Sequence, residues 1–142
     1  MAEYVYNAVQ LIEPNQNVLM QTSVPCNRGY IYHRDGAGLL TLRGAVNGTG
    51  CFARYQVTFN ANIAVPEGGT VGPISVAIAI DGEAIQTSRA IVTPAAVDQY
   101  FNVTSTAIIT VPKCCCFNVA VENVSTQAIN VQNANLTVSR IA

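Results

Sequence analysis

Charge is what this sequence has least of. Of its 142 residues, 11% are Asp, Glu, Lys or Arg, against about a quarter in an ordinary soluble domain. The net charge is −1, so there is no basic footprint for nucleic acid. The eight carboxylates are scattered singly, and no pair suggests glycoside hydrolysis. Histidine occurs once, as His33. That leaves a nucleophilic thiol with no assignable base. It also leaves zinc without the paired C-x₂-C or interspersed His that its sites use. The longest apolar run, Val76 to Ile80, is far short of a membrane span, so no membrane insertion is expected. Met1-Ala2-Glu3-Tyr4 has neither a basic start nor an apolar segment. No classical signal peptide is therefore expected, and synthesis in the cytoplasm is. Internal repeats, linkers, low-complexity tails and G-X-Y tracts are all absent.

What is present reads as β-structure. Half the residues are apolar, and the polar share is carried by Asn, Thr, Ser and Gln. The length suggests one domain, residues 1–142. A domain of this size buries about 68–70% of the unfolded chain's surface. From Cys51 to Val65 the apolar residues Val57, Phe59, Ala61, Ile63 and Val65 alternate with polar Arg54, Gln56, Thr58, Asn60 and Asn62. Period-two alternation of this length marks a long strand with one face on a core. A second long strand is expected over Tyr100 to Val111, with Phe101, Val103, Ala107, Ile109 and Val111 inward. Ile74 to Ile80 alternates in the same way, and Ala84 to Val92 is read as its return strand. Shorter strands are expected at Glu3 to Ile12, with Tyr4, Tyr6 and Ala8 on one face, at Val18 to Met20, at Tyr30 to His33 and at Leu39 to Arg43.

Turn chemistry separates these runs: Asp35-Gly36, Asn47-Gly48-Thr49-Gly50, Pro66-Glu67-Gly68-Gly69 and Asp81-Gly82. Thr93 to Asp98 reads as one helical turn or a loop. In Gln127 to Ile141 the apolar set is odd at Ile129 and Val131 but even at Ala134, Leu136 and Val138. That change of phase implies a bulge near Gln132-Asn133. About nine or ten short strands and no helical period imply an all-β sandwich or barrel.

No catalytic constellation emerges, and the chain is expected not to be an enzyme and to need no cofactor or metal. His33-Arg34-Asp35 echoes a kinase triplet but lacks the following Asn and any glycine-rich loop, so it reads as a turn. Gly68 to Gly72 precedes Pro73 and a strand, not a helix with a Lys, so it is no phosphate cradle. Asp81 and Glu83 flank a turn, and turn chemistry outweighs calcium there. Four Asn-x-Ser/Thr sequons, at Asn47, Asn102, Asn123 and Asn135, are what chance gives in so Asn- and Thr-rich a chain.

Cys114-Cys115-Cys116 is the oddest feature. On a strand Cys115 would share the inward face with Phe117, Val119 and Val121. Cys114 and Cys116 would point outward, roughly 6.5–7 Å apart, marginal for a disulfide. Cys26 and Cys51 each start a strand and are a candidate bridge. The total of five is odd, so at least one thiol is free or pairs between chains. Cys26, Cys51, Cys114 and Cys116 are the candidate disulfide or reactive thiols.

The outward positions of the long strands are more informative. Thr58, Asn60, Asn62, Asn102, Thr104, Thr106, Asn133, Asn135 and Thr137 are small, polar and uncharged. A solvated sheet usually carries more Lys and Glu, so this face is assigned to a neighbour. Thr58, Asn60 and Thr106, with Tyr100 and Ile108 as apolar anchors, form the expected oligomer interface.

The stretches VPCNRGYIYHRDGAGLLTLRG, CFARYQVTFNANIAVP, GPISVAIAIDGEAIQTSRAIVTPAAV and NVQNANLTVSRIA resemble small Firmicutes and phage-encoded proteins with a C1q/TNF-like jelly roll. Similar domains end the collagen-like spore-surface glycoproteins. The resemblance covers nearly the whole chain. It implies an all-β, two-sheet antiparallel jelly-roll sandwich that forms a homotrimer. The chain starts at the domain with no collagen stalk, which favours a stand-alone virion or cell-surface protein over a spore filament. The expected function is structural and adhesive, as a phage head decoration or fibre or in a bacterial surface assembly. Expected partners are other copies of the chain, other virion or surface proteins, and glycans. A lectin-like carbohydrate-binding module and a self-assembling fibre subunit are the alternatives.

Overall fold

The structure is a computed structural model that describes residues 2–20, 30–33, 36–44 and 50–141, and the backbone of 22–24. Its strands are β1 (Ala2–Tyr6), β2 (Gln10–Ile12), β3 (Thr22–Val24), β4 (Ile31–His33), β5 (Leu40–Arg43), β6 (Phe52–Ala64), β7 (Ile74–Ile80), β8 (Glu83–Ala84), β9 (Ala90–Val92), β10 (Phe101–Pro112), β11 (Cys116–Asn123) and β12 (Ile129–Arg140). They form two antiparallel sheets of six strands each. One runs β10-β6-β12-β1-β3, with β2 also on β12; the other runs β4-β5-β11-β7-β8, with β9 also on β7. Long crossovers between sequence-distant strands, and two faces sharing one core, make this a two-sheet jelly-roll sandwich.

The alternation of β6 carries through the structure. Tyr55, Val57, Phe59, Ala61 and Ile63 point into the core, and Arg54, Gln56 and Asn60 point out. Tyr4, Leu40, Leu42, Ile74, Ile78 and Leu136 meet them from the other strands. Tyr55 places its ring in this core while its hydroxyl donates to the Arg43 carbonyl at 2.5 Å. Burial pushes that phenol above its ordinary range.

The expected bulge is present. The β12–β6 register shifts between Gln132 and Asn135, and Asn133 adopts φ 56°, a left-handed conformation that Asn tolerates better than most residues. Asp81 (φ 50°) and Gly82 (φ 85°) give the positive-φ pair that a tight β7–β8 hairpin favours. Asp35 and Asn47 to Thr49 lie outside the described residues.

Several expectations are corrected. Ala84 to Val92 is not one strand: β8 and β9 flank a single 3-10 turn at Gln86–Ser88. Ser88 explains the break. Its hydroxyl accepts from Ile78 N–H at 2.9 Å and donates to the Ile85 carbonyl at 2.7 Å, replacing ladder bonds with side-chain ones. Of the two readings of Thr93 to Asp98, the loop is the one found. Ala8 is exposed, and Phe101 is 39% exposed, on the outermost strand of its sheet. Val18–Met20 forms no ladder, although Val18 N–H donates to the Val121 carbonyl at 2.8 Å. In β7 both faces are buried from Ile74 to Ala79. Ser125 clasps the Ser75 backbone there, accepting from its N–H at 2.7 Å, and Arg89 Nε donates to Ser75 Oγ at 3.0 Å.

Asn123 locks the end of β11. Its side-chain amide donates to the Ile12 and Gln127 carbonyls at 2.9 and 3.0 Å, and its oxygen accepts from Ser125 N–H at 2.9 Å. Asn123→Ala strands three buried backbone groups and should lower stability by about 2–4 kcal/mol in urea titration. A loss below about 1 kcal/mol would mean that water takes over those bonds. Beside it, Glu122 is buried, and desolvation raises its carboxyl above 4.5. Between the unfolded and folded titrations the folded chain keeps a proton the unfolded chain has lost, so this group lowers stability as pH rises through that window. Glu122→Gln should therefore raise the melting temperature at neutral pH and leave it unchanged below pH 4.5. Equal effects at both pH values would reject burial of the charge as the cause.

Candidate functional site

The three longest strands, β10, β6 and β12, lie side by side. β10 pairs with β6 in unbroken register from Phe101–Ile63 to Pro112–Phe52. Opposite residues of antiparallel strands share a face, so the outward side chains stand in rows. Ile108, Gln56 and Ser139 form one row; Thr106, Thr58 and Thr137 form the next; Thr104, Asn60 and Asn135 a third. The bulge at Asn133 makes this possible. It turns Ala134, Leu136 and Val138 inward, and so Asn133, Asn135 and Thr137 outward.

The rows bond to one another. Thr58 and Thr106 hydroxyls are 3.3 Å apart. Asn102 Nδ2 donates to Asn60 Oδ1 at 2.8 Å, and Thr104 Oγ1 donates to the same oxygen at 3.2 Å. Asn62 Nδ2 donates to Asn133 Oδ1 at 3.3 Å. Across β10, β6 and β12 no ionisable side chain interrupts these rows between Arg54 and Asn62, and Glu3 of β1, opposite Thr137, borders them. The result is a pre-bonded, uncharged ladder that can be covered at modest desolvation cost. Ile108, 61% exposed, stands beside it. Tyr100 does not join Ile108. It is half-buried just before β10, eight residues or roughly 26 Å away along the strand. Thr58, Asn60, Thr106 and Ile108 are therefore brought together, and Tyr100 is not.

The cysteines occupy one end of the sandwich. Pro112 to Cys115 is a tight turn in which Cys115 N–H donates to the Pro112 carbonyl at 3.1 Å and Cys114 has φ 66°. The sequence suggests a strand through Cys115, but β11 starts at Cys116, and Cys114, Cys115 and Cys116 are all exposed. The inward placement of Cys115 is thus corrected: the turn intervenes before the alternation of β11 starts. Cys51 is a free, exposed thiol at the same end, its carbonyl accepting from Lys113 N–H at 2.9 Å. Cys26 lies outside the described residues. Gly44 seats the turn, donating its N–H to the Cys115 carbonyl at 2.8 Å. A Cβ there would stand 1.9 Å from the Pro112 carbonyl oxygen, so only glycine fits.

Two solved structures share this architecture over nearly the full chain. The globular domain of zebrafish complement 1qA protein matches with a TM-score of 0.66 at 13% identity, covering 99% of this chain and 97% of that one. The Eiger TNF of S. frugiperda matches with a TM-score of 0.73 at 10% identity, covering 100% of this chain and 92% of that one. The fold is the C1q/TNF jelly roll. No protein-family model matches the chain, and no curated protein does. The likeness is therefore one of backbone and not of sequence.

Elsewhere this jelly roll offers less chemistry. His33 is buried, its ring 4.5 Å from that of Tyr4 and its Nε2 3.1 Å from the Ala37 carbonyl. It serves the core and does not face the thiols. Among the described residues no three of His, Cys, Asp and Glu converge as a metal ligand set. Asp81, Asn118 and Asn17 line an open cleft of about 240 Å³, where Asp81 holds β11 by accepting from Asn118 N–H at 2.9 Å. Among the described residues no helix is long and apolar enough to cross a membrane.

Exposure is the testable consequence for the thiols. With a fast thiol reagent in native buffer, Cys51, Cys114, Cys115 and Cys116 should all label, with Cys115 as fast as its neighbours. Protection of Cys115 until denaturant is added would restore the inward strand phase.

Proposed function

We propose that this chain is a non-enzymatic structural and adhesive module. It assembles as a closed homotrimer through the β10-β6-β12 ladder, within a phage particle or a bacterial surface assembly. The ladder carries the reading. It is an extended face of hydroxyl and amide groups already bonded to one another, without charge, and flanked by the exposed Ile108. Burying the three-strand ladder leaves few polar groups unpaired and strands no charge, with Glu3 of β1 at its rim. Low overall charge supports the same reading, since little repulsion holds copies apart. The C1q/TNF resemblance supports a closed trimer in preference to an open fibre. Other virion or surface proteins and glycans are the proposed outside partners.

A stable interface removes about 800 Å² per partner from water. Ile108→Lys would desolvate three unpaired ammonium groups near the axis, at several kcal/mol. Light scattering should give the mass of three chains for the wild type and of one chain for Ile108→Lys. A single-chain mass for the wild type at micromolar concentration would reject self-assembly. A trimer indifferent to Ile108→Lys would keep the assembly and reject this face.

A further inference from the structure

Free cysteine is among the most buried residue types, yet four exposed thiols crowd one end of this sandwich. We propose that the Cys114–Cys116 turn is a covalent cross-linking tip. It forms disulfides with the same turn of a second copy of the chain when it meets an oxidising small-molecule disulfide. The proposal is independent of the ladder face, which lies on the flank of the sheet and not at its end.

Three observations point here. The first is conformational. Cys114 holds φ 66° at the third position of its turn, a place where glycine or asparagine is the ordinary choice. A side chain kept at such a position suggests use for its own chemistry. The second is the local charge. Lys113 adjoins the thiols in sequence and Arg43 pairs with Cys116 across the ladder. Cations beside the thiols attract an anionic small disulfide to them. The third is geometric. Cys114–Cys115 and Cys115–Cys116 are adjacent, with Cα atoms about 3.8 Å apart, short of the roughly 4.4–6.8 Å separation that disulfides need. Bonds between neighbours are therefore disfavoured. An odd total of five cysteines leaves a thiol over in every fully paired intrachain scheme. Three consecutive exposed thiols also tolerate error in how two copies meet, because any one of them can find a mate. A contact between identical patches is self-complementary by symmetry.

The chemistry balances with an oxidant such as oxidised glutathione. A thiolate of one copy attacks a sulfur of the small disulfide, whose S–S bond breaks and releases one small thiolate. A thiolate of the second copy then attacks the protein-side sulfur of the mixed disulfide. The interchain S–S bond forms and the second small thiolate leaves. Two protein thiols are oxidised, the small disulfide is reduced to two thiols, and the protons lost by the cysteines end on those products. In a reducing cytosol the tip stays open; it closes after release into an oxidising medium.

The test is to incubate the folded full-length protein with oxidised glutathione and separate it on a non-reducing denaturing gel. Expected are covalent dimers and higher multiples that dithiothreitol collapses, with peptide mapping placing the bonds within 114–116. Cys114→Ser/Cys115→Ser/Cys116→Ser should lose these species. Because substitution can disturb the turn, wild type alkylated with iodoacetamide in the native state serves as a second control and should lose them too. Ile108→Lys should still cross-link, which separates this proposal from the trimer reading. Glutathione adducts or intrachain bonds alone, without interchain species, would overturn the proposal. So would interchain bonds mapped only to Cys26 or Cys51.

Discussion

The unbroken antiparallel register of β10 on β6, continued onto β12 through one bulge, is the constraint on which the rest depends. A pleated strand sends successive side chains to opposite faces. Once Val57, Phe59, Ala61 and Ile63 enter the core, Thr58, Asn60 and Asn62 have nowhere to go but out. The same constraint aligns Val103, Ile109 and Val111 with them, and sends Asn102, Thr104 and Thr106 to the opposite side. One ladder of backbone bonds thus builds half the core and the whole candidate face together. A slip of one residue would invert both.

Asn133 shows how local conformation serves that global arrangement. Without its left-handed turn, β12 would continue with odd residues inward, putting Leu136 and Val138 in solvent and Thr137 in the core. The extra residue reverses the phase at one point. The second sheet solves its own problem differently. At the β7 edge, Ser88 substitutes side-chain bonds for a continuous strand, and Ser105 of β10 donates to the Ser88 carbonyl, stitching the two sheets together. Polar groups inside this sandwich have partners, and no buried side-chain N or O is left without a hydrogen bond among the described residues.

The two candidate functions occupy different surfaces and use different chemistry. The ladder is uncharged and already satisfied, suited to reversible burial against a copy of itself. The thiol tip is exposed and cationic, suited to covalent capture. Assembly through the first and cross-linking through the second would give an oligomer that is built reversibly and then fixed.

Periodicity and turn residues determined much of this protein without reference to its fold. The long strands, the inward set of β6, the hairpin at Asp81-Gly82 and the bulge in β12 all follow from local rules about pleat and φ. The sequence offered a C1q/TNF resemblance through motifs along nearly the whole chain, and the backbone likeness to solved structures bears out the fold alone. Tertiary structure alone decided what depends on where elements meet. Cys115 read as inward because alternation was extended through a turn that only the seating on Gly44 reveals. Ala84 to Val92 read as one strand because Ser88's bonds to Ile78 cross ten residues of sequence. Cys51 and Cys114 to Cys116 became one end of the molecule only when the start of β6 met the end of β10. Alternation is a property of neighbours in the chain, and so it is written in the sequence. Convergence is a property of the packed sheets, and it exists only after folding.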